Sequence, residues 1–202
     1  MIEQGFEFER TREGLWALAD AGPERLALLL DEFEVMVAAD SSPARLHPGL
    51  AEDEVRERFA AAGLMCPEEL VVWFGWHNGY PANDRGARFT TPSIRTEPLE
   101  LLLSNGMVNR TTWMSMGTGP GQIVVDTATP PGELLKVAHL EEDLLFYPGV
   151  NEDDKEGRAA SLSTLVAWWI IGVKQGGYVW DGSGWDGRIP LMAKTQQESV
   201  VW

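Results

Sequence analysis

Apolar residues fall at helical spacing in "GPERLALLLDEFEVMVAAD" (22–40), where Leu26, Leu29, Leu30, Phe33 and Val37 sit at i, i+3, i+4, i+7 and i+11. Pro23 suits the first turn of that helix. "SSPARLHPG" (41–49) has the composition of a loop and predicts a boundary, with an N-terminal helical extension over 1–45 and a main domain over 46–202. A second helix is predicted in "AEDEVRERFAAAG", with acids in its first turn, an apolar line of Val55, Phe59 and Ala62, and Gly63 as its stop. A third runs through "LVVWFGWHNGYP" (70–81): Pro67 suits its start, Glu68 and Glu69 favour its positive end, and Asn78-Gly79 supplies a left-handed exit. Leu70, Trp73, Phe74 and His77 share one face of it, and Trp76 lies elsewhere.

Downstream the period changes. "PANDRGARFTTPS" reads as loop with a short strand at 88–91, and "TEPLELLLSNG" as a short helix ending on Asn105-Gly106. "TTWMSMG", "GQIVVDT" and "ELLKVAHL" have strand character and are separated by Gly and Pro, which predicts an antiparallel meander. "DLLFYPG" adds a strand, and "NEDDKEG" a solvated acidic turn. "ASLSTLVAWWIIGVKQGG" is a late helix with a stripe of Leu162, Leu165, Val166, Trp169 and Val173, capped by Ser161 or Ser163 and ended by Gly176-Gly177. Trp168 points about 100° from Trp169 and is expected at the rim. "YVWDGSGWDGRIPLM" closes the chain's legible structure as turn and strand.

Composition narrows the function classes. An apolar fraction of 44% and a charged fraction of 23% are those of an ordinary globular protein with one core. No apolar run reaches the roughly 18 residues of a membrane span, and "MIEQGFEFER" has no basic region before an apolar stretch, so a cytoplasmic protein is expected. The single cysteine, Cys66, forms no internal disulfide and no Cys-rich zinc site. A net charge of −15 makes nucleic acid an improbable ligand and a basic protein a favoured one.

Catalytic constellations are hard to assemble from what remains. Cys66 sits at a helix start between apolar residues, where an inert buried thiol outweighs an activated one. The three histidines, His47, His77 and His139, have no metal-ligand spacing, and no G-x-S-x-G or H-E-x-x-H occurs. "GTGPGQ" (117–122) lies between strands and reads as a hairpin connection instead of a phosphate loop. "DGSGWDG" (181–187) has Trp185 at a calcium-ligand position, and "DDK" (153–155) reads as surface. Neither an enzyme nor a cofactor or metal is expected. Nine tryptophans exceed seven phenylalanines, most of them expected in the core and the remainder free to anchor an interface or stack on sugars.

The run "LAEDEVRERFAAAGLMCPEELVVWFGWHNG" (50–79) resembles the N-terminal motif of the SUKH superfamily, the group similar to the Smi/Knr cell-wall assembly regulators. Gly63, Pro67, Leu70, Trp73 and Asn78-Gly79 occupy the motif's places. The order that follows is also similar: Trp113, a Gly-rich turn, "GQIVVDT" with Asp126 at an acidic strand end, and a helix opening at Ser161–Ser163 before "GGYVWDG". The likeness spans about 48–182; Phe59 stands where the family often has glutamate, and Cys66 where it has leucine. The resemblance implies an α+β fold, with helices packed on a mostly antiparallel, mixed β-sheet. It also implies a non-catalytic immunity protein of a polymorphic toxin system that blocks a basic, nuclease-type toxin. The contact residues expected are Trp76, Tyr80, Asp84, Glu152, Asp153, Asp154 and Trp168. The alternative is a small-ligand or glycan-binding regulator with Trp residues lining a pocket.

Overall fold

The structure is a computed structural model that describes residues 2–3, 5–12, 14–38, 46–80, 95–105, 113–118, 122–140, 156–176, 178–180 and 185–187. The chain begins with three strands, β1 (Ile2–Glu3), β2 (Phe6–Arg10) and β3 (Trp16–Leu18), and then the helices α1 (Pro23–Ala38), α2 (Glu52–Ala61) and α3 (Glu68–Trp76). There follow β4 (Arg95–Thr96), α4 (Leu99–Asn105), β5 (Trp113–Ser115), β6 (Gly117–Thr118), β7 (Gln122–Asp126), β8 (Lys136–Leu140) and β9 (Glu156–Ala160). Last come α5 (Leu162–Lys174), β10 (Tyr178–Trp180) and β11 (Trp185–Gly187).

Seven strands form one sheet in the order β1-β2-β3-β9-β8-β7-β5, antiparallel throughout except where β3 runs parallel to β9. The fold is therefore α+β with a mostly antiparallel, mixed sheet, and the expected meander of β5, β7 and β8 is present. β4 with β6 and β10 with β11 make two small ribbons. The strand expected at 88–91 and the one in "DLLFYPG" lie outside the described residues.

The N-terminal part differs from a separate helical extension. Residues 6–10 alternate Phe6 and Phe8 inward with Glu7, Glu9 and Arg10 outward, the period of a half-buried strand. β3 joins that hairpin to the central sheet through β9. α1 buries Leu26, Leu29, Leu30 and Phe33 against α5 and α3. Residues on both sides of position 45 thus share one sheet and one core. Strand β9 is a second difference, since residues 156–157 were expected in an acidic turn and instead pair with β8.

α5 is buried from Leu162 to Gly172, with α1 on one side and β3 and β9 on another. Trp169 is the meeting point of three helices, its ring 5.9 Å from Phe33 and 6.1 Å from Trp73. Trp168, expected at the rim, is buried at 4% exposure and stacks at 6.3 Å on Phe8 of β2. The reason is geometric: the N-terminal hairpin extends the sheet beneath α5, so the helix has cover on the side Trp168 faces.

The connection before α2 is strapped to the end of α3. His47 N–H donates to the Gly79 carbonyl, Asn78 N–H to the His47 carbonyl, and Leu50 N–H to the Phe74 carbonyl. A Cβ on Gly49 would lie 1.7 Å from the Gly75 carbonyl oxygen, so only glycine permits this approach. Gly49→Ala is expected to cost at least about 2 kcal/mol, because the obstacle is backbone that cannot rotate away. Urea unfolding checks this, and a loss under about 0.5 kcal/mol, the ordinary range for an exposed site, contradicts it.

Candidate functional site

The functional candidates group around the two ends of α3. At its start, Pro67 sits one residue outside the helix in an extended conformation, φ −58° and ψ 141°, and its carbonyl accepts the Leu70 N–H at 2.9 Å. Glu69, in the first turn, points into the protein at 4% exposure. Its carboxylate accepts the Ser161 hydroxyl at 2.5 Å and the Leu162 and Ser163 N–H groups at 3.3 Å each, the first donors of α5. Leu135 contributes a further backbone donor. Ser161 is the N-cap, at φ 83°, and its Oγ also accepts the Ser163 N–H at 3.0 Å. Ser163 Oγ in turn accepts from Gly22 N–H, and Thr164 Oγ1 from Leu18 N–H. A single buried polar network therefore ties α3, α5, β3 and the start of α1.

At the other end, α3 leaves through His77 in an extended conformation, φ −149° and ψ 139°, and not through the expected left-handed Asn-Gly exit; Asn78 and Gly79 serve the segment beyond it. Gly79 has φ +67°, and a Cβ there would meet the Glu97 carbonyl carbon at 2.4 Å. Asn78 is buried, and its Oδ1 accepts the Leu99 N–H at 2.8 Å, satisfying an orphan donor at the start of α4. Its Nδ2 reaches Glu100 Oε2 at 3.5 Å. Tyr80, expected on a partner-facing surface, is buried at 6%, its N–H donating to the Thr96 carbonyl. The 78–80 segment packs along 96–99, and the ring follows it inward. Trp76 is half-buried and committed to α1: its Nε1 donates to Glu34 Oε2 at 2.8 Å, and its ring lies 5.9 Å from Trp73 and 4.6 Å from His77. His77 Nε2 is 3.5 Å from Glu34 Oε1.

The outer surface beside these ends is acidic. Arg56 lies between Glu52 (2.8 Å) and Glu68 (2.6 Å), and Arg58 between Glu54 (2.6 Å) and Glu100 (2.7 Å). Each guanidinium is held by two carboxylates, and these hydrogen bonds hold both above the ordinary arginine value. Asp53 and Glu57, exposed and one turn apart on α2, have no cationic partner among the described residues. The face therefore carries six carboxylates (Glu52, Asp53, Glu54, Glu57, Glu68, Glu100) against two guanidiniums. Each surface pair contributes only about 0–1 kcal/mol to stability. Their larger effect is on the field a partner meets.

The remaining candidates resolve as follows. Gly63 follows α2 at φ +71°. Asp126 closes the turn after β7, its Oδ1 accepting Ala128 N–H at 3.0 Å and its carbonyl the Thr129 hydroxyl at 2.8 Å. Trp73 is core. Asp84, Glu152, Asp153 and Asp154 lie outside the described residues. Burial pushes the Cys66 thiol up to about 11, which leaves it protonated at neutral pH. Among the described residues no group of His, Cys, Asp or Glu is arranged to hold a metal, and no helix is long and apolar enough to cross a membrane. Glu69 and Asn78 carry the joints, yet the sequence marks the first only as a helix-start acid and the second only as a helix stop.

Fold and surface together define a class: an α+β protein with a charge-surplus helical face. Compared with known families and with curated proteins, the chain matches none.

Two carboxyls make opposite pH predictions. Burial raises Glu69 above its ordinary value, outweighing Ser161 and the three backbone donors. Its stabilising form is the protonated one, so this contribution is full below the unfolded value and is lost as pH rises through the folded one. Glu69→Gln is expected to remove that slope and to gain on the wild type as pH rises above about 4.5. Glu69→Ala leaves buried donors unpaired and is expected to cost at least about 3 kcal/mol. Glu100 feels burial too, but its own backbone N–H, Asn78 and Arg58 outweigh it and hold the carboxyl below its ordinary value. Its contribution is lost as pH falls through that folded value, so Glu100→Gln flattens the acid side instead. Urea unfolding of the three variants from acid to neutral pH reads both slopes.

Proposed function

We propose that this chain is a non-catalytic immunity protein with a SUKH-like region over about 48–182, built into one core with the N-terminal strands and α1, that binds and neutralises a basic, nuclease-type bacterial toxin in the cytoplasm. It does so without cofactor or metal, and neither nucleic acid nor membrane is its ligand. The observation that carries the reading is the acidic helical face, where both arginines of α2 are consumed by glutamates and Asp53 and Glu57 remain uncompensated. A nuclease keeps a basic groove for phosphate, and a surface with surplus carboxylates competes for that groove and speeds encounter. The net charge of −15 and the motif residues Gly63, Pro67, Trp73, Asn78 and Gly79 support the same reading.

The glycan-binding alternative needs tryptophans on a pocket wall. Trp73, Trp168 and Trp169 are core residues, and the half-buried Trp76 ring packs against Trp73 and His77, so none of these four lines an open pocket wall with its whole ring. The surface favours the protein partner.

A basic toxin domain is expected to be encoded beside this gene, and co-expression with it to restore growth of cells that the toxin alone kills, with the two proteins co-purifying. Absence of both rescue and co-purification refutes the proposal. Asp53→Lys/Glu57→Lys, on exposed positions, is expected to weaken the complex about tenfold or more and to flatten its salt dependence. Isothermal titration at two ionic strengths measures it.

A further inference from the structure

Helix α1 carries a second stripe opposite its core face. Leu28 is 62% exposed and Val35 is 74% exposed, whereas the core positions Leu26, Leu29, Leu30 and Phe33 are at 0 or 1%. The two exposed apolar residues are seven apart, so they lie about 10 Å from each other along the axis and within about 20° around it. Glu24 and Asp31, both exposed, alternate with them at i, i+4, i+7 and i+11, and all four fall within an arc of about 60°. The neighbouring cations are already engaged: Arg25 pairs with Asp20 at 3.3 Å, and Lys174 with Glu32 at 2.7 Å. Glu24 and Asp31 have no cationic partner among the described residues.

We propose that the stripe Glu24–Leu28–Asp31–Val35 docks an amphipathic, lysine- or arginine-rich helix of the protein partner. The inference rests on the reading above and names the partner's chemistry. Two apolar residues one heptad apart match the i, i+7 anchors of a helix laid alongside, and the interleaved acids select for positive charge between those anchors. A second copy of this chain is a poor occupant, because it would set Glu24 and Asp31 against the same acids in a molecule of charge −15.

The probe is a synthetic amphipathic helix with leucines seven residues apart and lysines at the flanking positions. Its control has glutamate for each lysine. Fluorescence anisotropy with the full chain is expected to show binding of the lysine helix and none of the control. Leu28→Ala/Val35→Ala is expected to weaken binding about tenfold or more, and Glu24→Gln/Asp31→Gln to abolish most of its salt dependence. Both variants change exposed positions, and circular dichroism checks that they fold. No binding of the lysine helix, equal binding of the control, or variants that bind like the wild type each overturn the proposal. So does a wild-type dimer in sedimentation that Leu28→Asp/Val35→Asp makes monomeric, since the stripe then serves self-association. Growth rescue separates the two readings. Rescue by the wild type and equally by Leu28→Ala/Val35→Ala leaves the toxin-neutralising function standing and removes the stripe; failure of the wild type both to rescue and to co-purify removes the function, while the peptide titration still decides the stripe.

Discussion

The carboxylate of Glu69 at the buried N-terminus of α5 is the contact on which the arrangement of layers depends. Any helix presents unpaired N–H groups at its start, and water normally satisfies some of them. α5 starts where water cannot reach, with Ser161, Leu162, Ser163 and Thr164 all at 0% exposure. Glu69 brings an acceptor from a different helix, and Ser161 adds one from its own cap position. The donors that converge on it offset only part of the cost of burying a carboxyl, which is why burial still raises Glu69 above its ordinary value. Since the carboxyl belongs to α3, seating the start of α5 also fixes the distance between the two helices. Their aromatic rings, Trp73 and Trp169, then pack at 6.1 Å.

That joint explains why the N-terminal strands belong to the same body. Ser163 and Thr164 use the next hydroxyls of the same turn to accept from Gly22 and Leu18, the residues that lead from β3 into α1. The parallel pairing of β3 with β9 needs the chain to return to the sheet after a long excursion, which local hydrogen bonds alone do not favour. Here the strand immediately preceding α5 and the residues preceding α1 meet at one capped helix start. The two longest helices are thus registered against each other by backbone-to-hydroxyl bonds before their side chains interlock at Phe33 and Trp169.

Patterns that depend on one face of one element were legible in the sequence. The stripe of α1, the acid-first start of α2 with its Gly63 stop, and the antiparallel order of β5, β7 and β8 all follow from local period and capping. What escaped was set by partners remote in sequence. Trp168 reads as a rim residue if α5 has a single buried side; it is buried because Phe8, 160 positions earlier, lies beneath it. Tyr80 reads as exposed if the chain leaves α3 into solvent, but residues 96–99 run alongside it. Glu69 is the instructive case: a glutamate in a first turn ordinarily serves its own helix, and nothing in "PEELVVW" indicates that it serves another. The alternation in "FEFER" has the period of a strand, but over five residues it is too short to predict one against the loop-like residues around it.

The end of α3 links this internal framework to the surface. Asn78 resembles a simple helix stop, but its buried amide satisfies Leu99 N–H and contacts Glu100, the same carboxylate that receives Arg58 from α2. The chain of contacts runs from core to face: Gly79 lets the backbone approach Glu97, Asn78 orders α4, and α4 presents Glu100 where it captures Arg58. With Arg58 and Arg56 both captured by glutamates, neither cation is left to offset Asp53 and Glu57. Each arginine bridges an acid of its own helix, Glu52 or Glu54, to one on a neighbouring helix, Glu68 of α3 or Glu100 of α4, so the same contacts that join α2 to α3 and α4 leave the outermost acids of α2 uncompensated.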